Sequence, residues 1–237
     1  MTRPEPAPVQ EVHVEKDNHG VRRALETIAQ ALMADCVSLY LSTPDAAHAF
    51  VHAVMRSYLA SGPQRIFQAD DFSCCALVGE IHRQRPSAPA AQQQQQQQQD
   101  SSDSGKADAE MLAHARSDRK RALERLGSQP HLEQVVEEHG SALCVHFIGV
   151  HPERQGRGLG GAMLRHLCQL ADATQRHLYL EASTERSQAL YARHGFAHIA
   201  DKPLGEAGEE GAPVLRVMVR PPSGPTLAAA ADGAARA

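Results

Sequence analysis

Between Ala142 and Ser183 the chain reads ALCVHFIGV, HPERQGR, GLGGAMLRHLCQLADATQ, R, HLYLEAS. An apolar run is followed by a turn rich in glycine and arginine, then by apolar residues at helical spacing, then by a second apolar run. Strand, turn, helix and strand in that order form a β-α-β unit, whose two strands are parallel and neighbouring in one sheet. The glycine turn therefore lies where a parallel sheet opens toward a ligand. The helix behind it starts with unpaired backbone N–H groups and the positive end of its dipole, which suits a phosphate or pyrophosphate.

The rest of the chain extends the same alternation. PVQEVHVE reads as an opening strand, and GVRRALETIAQALMAD carries Val21, Leu25, Ile28, Ala29 and Leu32 on one helical face. PDAAHAFVHAVMRSYLA reads as a helix with Pro44 in its first turn and Phe50, Val51, Val54 and Leu59 apolar; Ser61 and Gly62 end it. RIFQAD and CCALVGE read as a hairpin joined at Asp70 and Asp71. AEMLAHARSDRKRALERLG and HLEQVVEEHG read as helices, ERSQALYARHG as another, and FAHIAD and VLRVMVRP as closing strands. Two segments stand apart. RPSAPAAQQQQQQQQDSSDSGK is too polar to offset its ordering entropy and is expected to be a disordered insertion over 86–106, and the biased tail over 221–237 is expected to be disordered as well.

Composition narrows the function classes. The 237 residues suffice for one sizeable domain or two small ones, and 42% of them are hydrophobic. A net charge of -4 leaves no basic footprint for nucleic acid, and Arg119, Lys120 and Arg121 read as a solvated helix face. No apolar run reaches the roughly 18 residues of a membrane span, and MTRPEPAPVQEVHVE lacks a secretory apolar core. Five cysteines without C-x-x-C read as buried, reduced thiols. The expectation is a cytoplasmic protein, with nuclear or organellar placement open and the oligomeric state unspecified.

Gly156, Gly158 and Gly161 satisfy G-x-G-x-x-G, and Glu181 follows at a distance where dinucleotide folds place a ribose-binding acid. That reading needs its first glycine directly after the strand, whereas His151 to Gln155 intervene, and too few strands follow to complete a doubly wound sheet. A phosphate-binding loop of the G-x-x-x-x-G-K-[ST] kind is absent. The turn parses better as Gln155-x-x-Gly158-x-Gly160.

On that parse IGVHPERQGRGLGGAML resembles the acyl-CoA-binding motif of the GCN5-related N-acetyltransferases, an apolar strand and V-x-P step before [RQ]-x-x-G-x-[GA] opening a helix. YLEASTERSQALYARHGF resembles the family's second hallmark, a strand followed by a helix with A-L-Y-x-x-x-G-F. The resemblance covers roughly Ala142 to Phe196, and within the family it is similar to the puromycin N-acetyltransferase-like enzymes. It implies an α/β fold with a mixed central sheet, two parallel strands splayed apart and helices on both sides, as a single domain over 8–220. It also implies acetyl-CoA as acyl donor and a small primary amine as acceptor, attacked directly in a ternary complex. A protein lysine or N-terminal acetyltransferase and a non-catalytic acyl-CoA-binding module are the alternatives.

The residue roles follow from the same resemblance. Ile148, Gly149 and Val150 would meet the pantetheine arm through the main chain, and Gln155, Gly156, Arg157, Gly158, Leu159, Gly160 and Gly161 would wrap the pyrophosphate. Tyr191 matches the tyrosine that protonates the departing thiolate, for which a phenol is suited because its ordinary pKa lies near that of a thiol. Glu181 matches a glutamate that binds or deprotonates the amine, although a carboxylate at a strand end equally serves as a helix cap. Where many members carry Asn before the tyrosine, this chain has Thr184 and Ser187. His146 is a second conceivable base, with a core or edge role the plainer reading. His48 and His52 share a helical face but lack a third ligand, so no metal is expected.

Overall fold

The structure, a computed structural model, describes residues 8–14, 18–83 and 105–224. The expected insertion lies outside the described residues except for 105 and 106, which are helical, and so does the expected tail beyond 224.

Seven strands form one sheet. In chain order they are β1 (Gln10–Val12), β2 (Gln64–Ala69), β3 (Cys74–His82), β4 (Ser141–Val150), β5 (His177–Ala182), β6 (Ala197–Pro203) and β7 (Val214–Arg220). The spatial order is β1-β2-β3-β4-β5-β7-β6, so the last strand inserts between β5 and β6. All neighbours are antiparallel except β4 and β5, the pair that the glycine turn predicts to be parallel. The helices are α1 (Asn18–Leu32), α2 (Cys36–Leu41), α3 (Ala47–Ala60), α4 (105–114), α5 (Lys120–Gly127), α6 (Pro130–His139), α7 (Leu159–Ala173) and α8 (Glu185–Ala192). Among the described residues no helix is long and apolar enough to cross a membrane.

Side chains alternate across a pleated sheet, and the core divides accordingly. Phe67, Cys74, Ala76, Val78, Leu143 and Val145 pack with Met163, Leu164 and Leu167 of α7. Their neighbours Ile66, Cys75 and Leu77 face Leu25 and Ile28 of α1 and Phe50 and Met55 of α3. On that second face Leu132, Val135 and Val136 of α6 continue the layer over Ala142, Cys144, Tyr179 and Val217. The periodic face read in α1 is the buried one, with Leu25, Ile28 and Ala29 enclosed and Val21 and Leu32 at its margin.

Three local departures from the sequence reading have physical causes. The first long helix stops at Leu32 because Asp35 caps a new one, its carboxylate accepting the N–H of Val37 at 2.9 Å, so CVSLYL forms α2. The expected helix over 109–127 breaks because Ala115 bridges Ser42 and the N–H of Arg116 donates to the carbonyl of Leu41 at 2.8 Å. The hairpin between β2 and β3 turns through Asp70, Asp71 and Phe72, all left-handed, which aspartate tolerates and phenylalanine does not favour. The N–H of Phe72 is held by the side-chain carbonyl of Gln68 at 3.0 Å. Of the five cysteines expected to be buried, Cys74, Cys75, Cys144 and Cys168 are, whereas Cys36 is exposed at the start of α2; all five are free.

Candidate functional site

Pairing of β4 with β5 covers only Ala142, Leu143 and Cys144 against His177, Leu178 and Tyr179. Beyond that point β4 runs on to Val150 and β5 to Ala182 without pairing, so a wedge opens toward the carboxyl ends of the two strands. β4 also bulges. Leu77 pairs with Phe147 and Val78 with Val145, leaving His146 as the extra residue, which bends the strand where the wedge begins. Gly79 on β3 permits this, since a Cβ there would lie 2.5 Å from His146 Nε2.

The glycine turn closes the mouth of the wedge. Pro152–Arg154 make a single 3-10 turn, and Gly156 and Gly158 take φ of +76° and +84°, values that glycine adopts without strain. Gly158 caps α7 with no side-chain hydrogen bond, and Leu159, buried, anchors the first turn in the core. A Cβ at Gly156 or Gly158 would meet nothing within 4 Å. The result is an open cradle of main chain with Arg154 and Arg157 exposed beside it. The other expected binding residues divide. Gln155 folds back and donates to the carbonyl of Val150 at 3.2 Å, and Ile148 lines the wedge. The carbonyl of Gly161 lies 3.2 Å from His194 Nε2. Gly149 serves packing: a Cβ there would come within 2.9 Å of both Ile28 Cα and Ala31 Cβ, so its absence lets α1 close on β4.

Inside the wedge is a cavity of about 140 Å³ bounded by β4, β5, α3 and the α1–α2 junction, with Tyr191, Glu181, Asp35, Tyr58 and His146 on its walls. Tyr191 is buried, and its hydroxyl makes no hydrogen bond among the described residues. Burial, with the Asp35 carboxylate as a lesser cause, pushes that phenol well above its ordinary range, so it keeps its proton. Glu181 is almost enclosed and fully engaged. Lys202 Nζ donates to both of its oxygens at 3.0 Å, and the Tyr179 hydroxyl donates to Oε1 at 2.7 Å. Lys202 is held in turn by the carbonyl of Leu126 at 2.9 Å. Glu181 therefore does not cap the following helix; Thr184 and Ser187 do so as a reciprocal capping box that occupies both hydroxyls.

His146 stacks on Tyr58 with ring centroids 4.2 Å apart, and its Nδ1 lies 3.4 Å from Cys144 Sγ. Its Nε2 is enclosed without a partner among the described residues, and burial depresses its pKa to about 4. So weak a base is poorly matched to taking a proton from an ammonium. His48 and His52 instead bracket Glu26, at 3.1 and 3.8 Å from its carboxylate oxygens.

Of the residues that sequence reasoning missed, Asp35, Tyr58 and Lys202 come from outside the two motifs, and Tyr179 opens the second. Asp35 reaches the cavity because its second oxygen accepts the hydroxyl of Ser183 at 2.7 Å, tying α2 to the end of β5 across 148 positions of sequence. Its only local signal is an aspartate preceding an apolar run, the signature of a cap. Tyr58, Tyr179 and Lys202 carry no signal beyond ordinary helix or strand patterning.

Residues 126–198 match the family model described as acetyltransferase (GNAT) domain. A mycothiol acetyltransferase from Jonesia denitrificans is 37% identical over 87 residues, which are 32% of this chain and 26% of that protein. The chain thus spans about a quarter of the length of this curated relative. Among solved structures, one described as histone acetyltransferase HPA2 and related acetyltransferase from Corynebacterium glutamicum has a TM-score of 0.53 at 19% identity, covering 94% of this chain and 100% of that one. A mosquito arylalkylamine N-acetyltransferase like 5b has a TM-score of 0.52 at 16% identity, covering 90% and 100%. Likeness at these identities is a likeness of fold, and it agrees with the mixed sheet and flanking helices expected here.

Proposed function

We propose that this chain is a GNAT acetyltransferase, a reading that the match of residues 126–198 to that family model supports, and that it transfers an acetyl group from acetyl-CoA to the primary amine of a small molecule by direct attack. The observation that carries this reading is the wedge between β4 and β5, with an unobstructed main-chain cradle at its mouth and Tyr191 inside it. The residues present fit the donor. An extended arm finds unpaired strand edge along 145–150, and a pyrophosphate finds the free N–H groups at the start of α7, with open space over Gly156 and Gly158 to receive it.

Bound acetyl-CoA supplies an activated thioester. The chain supplies position and protons. Ile148 and Val150 present their main chain to the arm, while Gln155, Arg157, Leu159, Gly160 and Gly161 complete the turn around the phosphates. Tyr191, kept protonated by its surroundings, gives its proton to the departing thiolate sulfur. Glu181, on the amine side of the cavity, binds the amine or takes up the proton it loses on attack, directly or through water, while its contacts hold the Tyr179 hydroxyl and the Lys202 ammonium in fixed places.

Thiol release from acetyl-CoA, measured over a panel of aminonucleosides, polyamines, amino acids, arylalkylamines and a lysine peptide, tests this reading. Turnover of a small amine is expected, with Tyr191→Phe lowering kcat about a hundredfold and leaving the KM for acetyl-CoA nearly unchanged. Binding of acetyl-CoA without turnover of any amine would favour a non-catalytic acyl-CoA-binding module. Turnover of the lysine peptide alone would transfer the reading to protein substrates.

A further inference from the structure

Two carboxylates face the cavity, and they differ in what already holds them. Glu181 has an ammonium on both oxygens, so its charge is balanced within the fold. Asp35 has no ion pair among the described residues. Its Oδ1 accepts the N–H of Val37 and a long contact at 3.9 Å from the Cys36 thiol, and its Oδ2 accepts the hydroxyl of Ser183. All three donors are neutral. An ionised carboxylate has roughly four acceptor positions, so Asp35 retains capacity as well as an uncompensated charge.

Part of the cavity wall that Asp35 shares is apolar. Phe50, Val54 and Leu215 line the same cavity, and the unbonded hydroxyl of Tyr191 shares its wall. A half-buried anion against such a surface gains strongly from a cation that reaches it, because little water competes. The space beside it is limited. A cavity of about 150 Å³ lined by aliphatic and aromatic side chains holds one benzene ring; this one measures about 140 Å³ and includes the β4 edge along which the donor's arm would run, so one ring is the upper bound for the acceptor's body.

We propose that Asp35 is the specificity-determining residue for the acceptor. It receives the ammonium of a primary amine whose remainder is a compact apolar body about one ring in size, and its charge disfavours acceptors with a carboxylate beside the amine. The inference rests on the acetyl-transfer reading, and it names the acceptor class for that same site.

Calorimetric titration of the full chain, in the presence of coenzyme A, with 2-phenylethylamine, phenylalanine and the neutral 2-phenylethanol tests it. Asp35→Asn removes the charge while keeping a side-chain oxygen for the cap, where Asn and Asp serve equally, so the variant should keep the melting temperature of the parent. The expected result is that 2-phenylethylamine binds the parent and weakens about 10- to 100-fold in Asp35→Asn, the size of a lost charge-assisted bond. Phenylalanine should bind the parent at least about tenfold more weakly than 2-phenylethylamine. The neutral alcohol should bind both proteins alike, which a merely structural role for Asp35 would not produce. Failure of the parent to bind 2-phenylethylamine, equal binding of the amine by both proteins, or equal weakening of amine and alcohol would each overturn the proposal. Thiol release with the same amine separates this from the broader reading. Charge-dependent binding without any acetyl transfer would sink the transferase reading and leave Asp35 as an amine site, whereas acetyl transfer indifferent to Asp35→Asn would do the reverse.

Discussion

His146 shows how a single position serves the fold and penalises acid. The bulge in β4 turns its imidazole against Tyr58 and under Gly79, where burial depresses its pKa from 6.5 to about 4. In the unfolded chain the same ring has its ordinary value, so between those two pH values the unfolded state binds more protons. Stability then rises with pH, and the contribution of neutral His146 is fully present above about pH 6.5 and lost as pH falls toward 4. The difference corresponds to about 3 kcal/mol at most. Urea unfolding at pH 7.5 and pH 5 should show His146→Gln losing less stability across that interval than the parent. An identical loss in both would mean that another group carries the acid sensitivity.

Glycines in the β4–α7 segment divide between open turn and close packing, and the division belongs to elements. Gly158 is left-handed over open space, so Gly158→Val costs the fold only about 1–2 kcal/mol of backbone strain while it places a side chain in the cradle. Gly149 sits under α1, where even Gly149→Ala forces a Cβ to 2.9 Å from the Ile28 Cα, an overpacking that costs about 1–3 kcal/mol. The expected signatures are opposite. Gly158→Val should raise the KM for acetyl-CoA severalfold with a modest fall in melting temperature, and Gly149→Ala should chiefly lower the urea midpoint. A KM effect confined to Gly149→Ala would reverse these assignments. The sequence showed that the segment was a glycine-rich turn between parallel strands, because strand and helix periodicities are local. It did not show which glycine stands over open space and which lies under a helix, because the helix that fills the space above Gly149 lies more than a hundred positions earlier. Asp35 was illegible for the same reason: its capping role is local, whereas its place on the cavity wall depends on Ser183.

At the scale of the molecule, the wedge depends on strands on both sides that are distant in sequence. The splay persists because β4 is held on its other edge by β3 from Ser141 to Val150, and β5 is held by β7 from Leu178 to Ala182. Each strand is thus paired along its length by a partner that leads it away from the other. β7 is the critical one, since it separates β5 from β6, buries Leu215, Val217 and Met218, and carries Arg220 in a bidentate pair with Asp172 of α7 at 2.8 Å. Three buried side chains of this kind contribute about 1.5–3 kcal/mol each, a sum comparable to the whole stability of an ordinary domain at about 5–15 kcal/mol. A chain ending at Pro213 would lose that contribution, leave β6 without a partner and expose the edge of β5 opposite the wedge. It should show no cooperative thermal transition by circular dichroism and no acetyl-CoA binding by calorimetry. A transition within a few degrees of the full chain would mean instead that β4 and β5 hold their separation through α7 and α8 alone, and the wedge would then be a property of the β-α-β unit and not of the sheet around it.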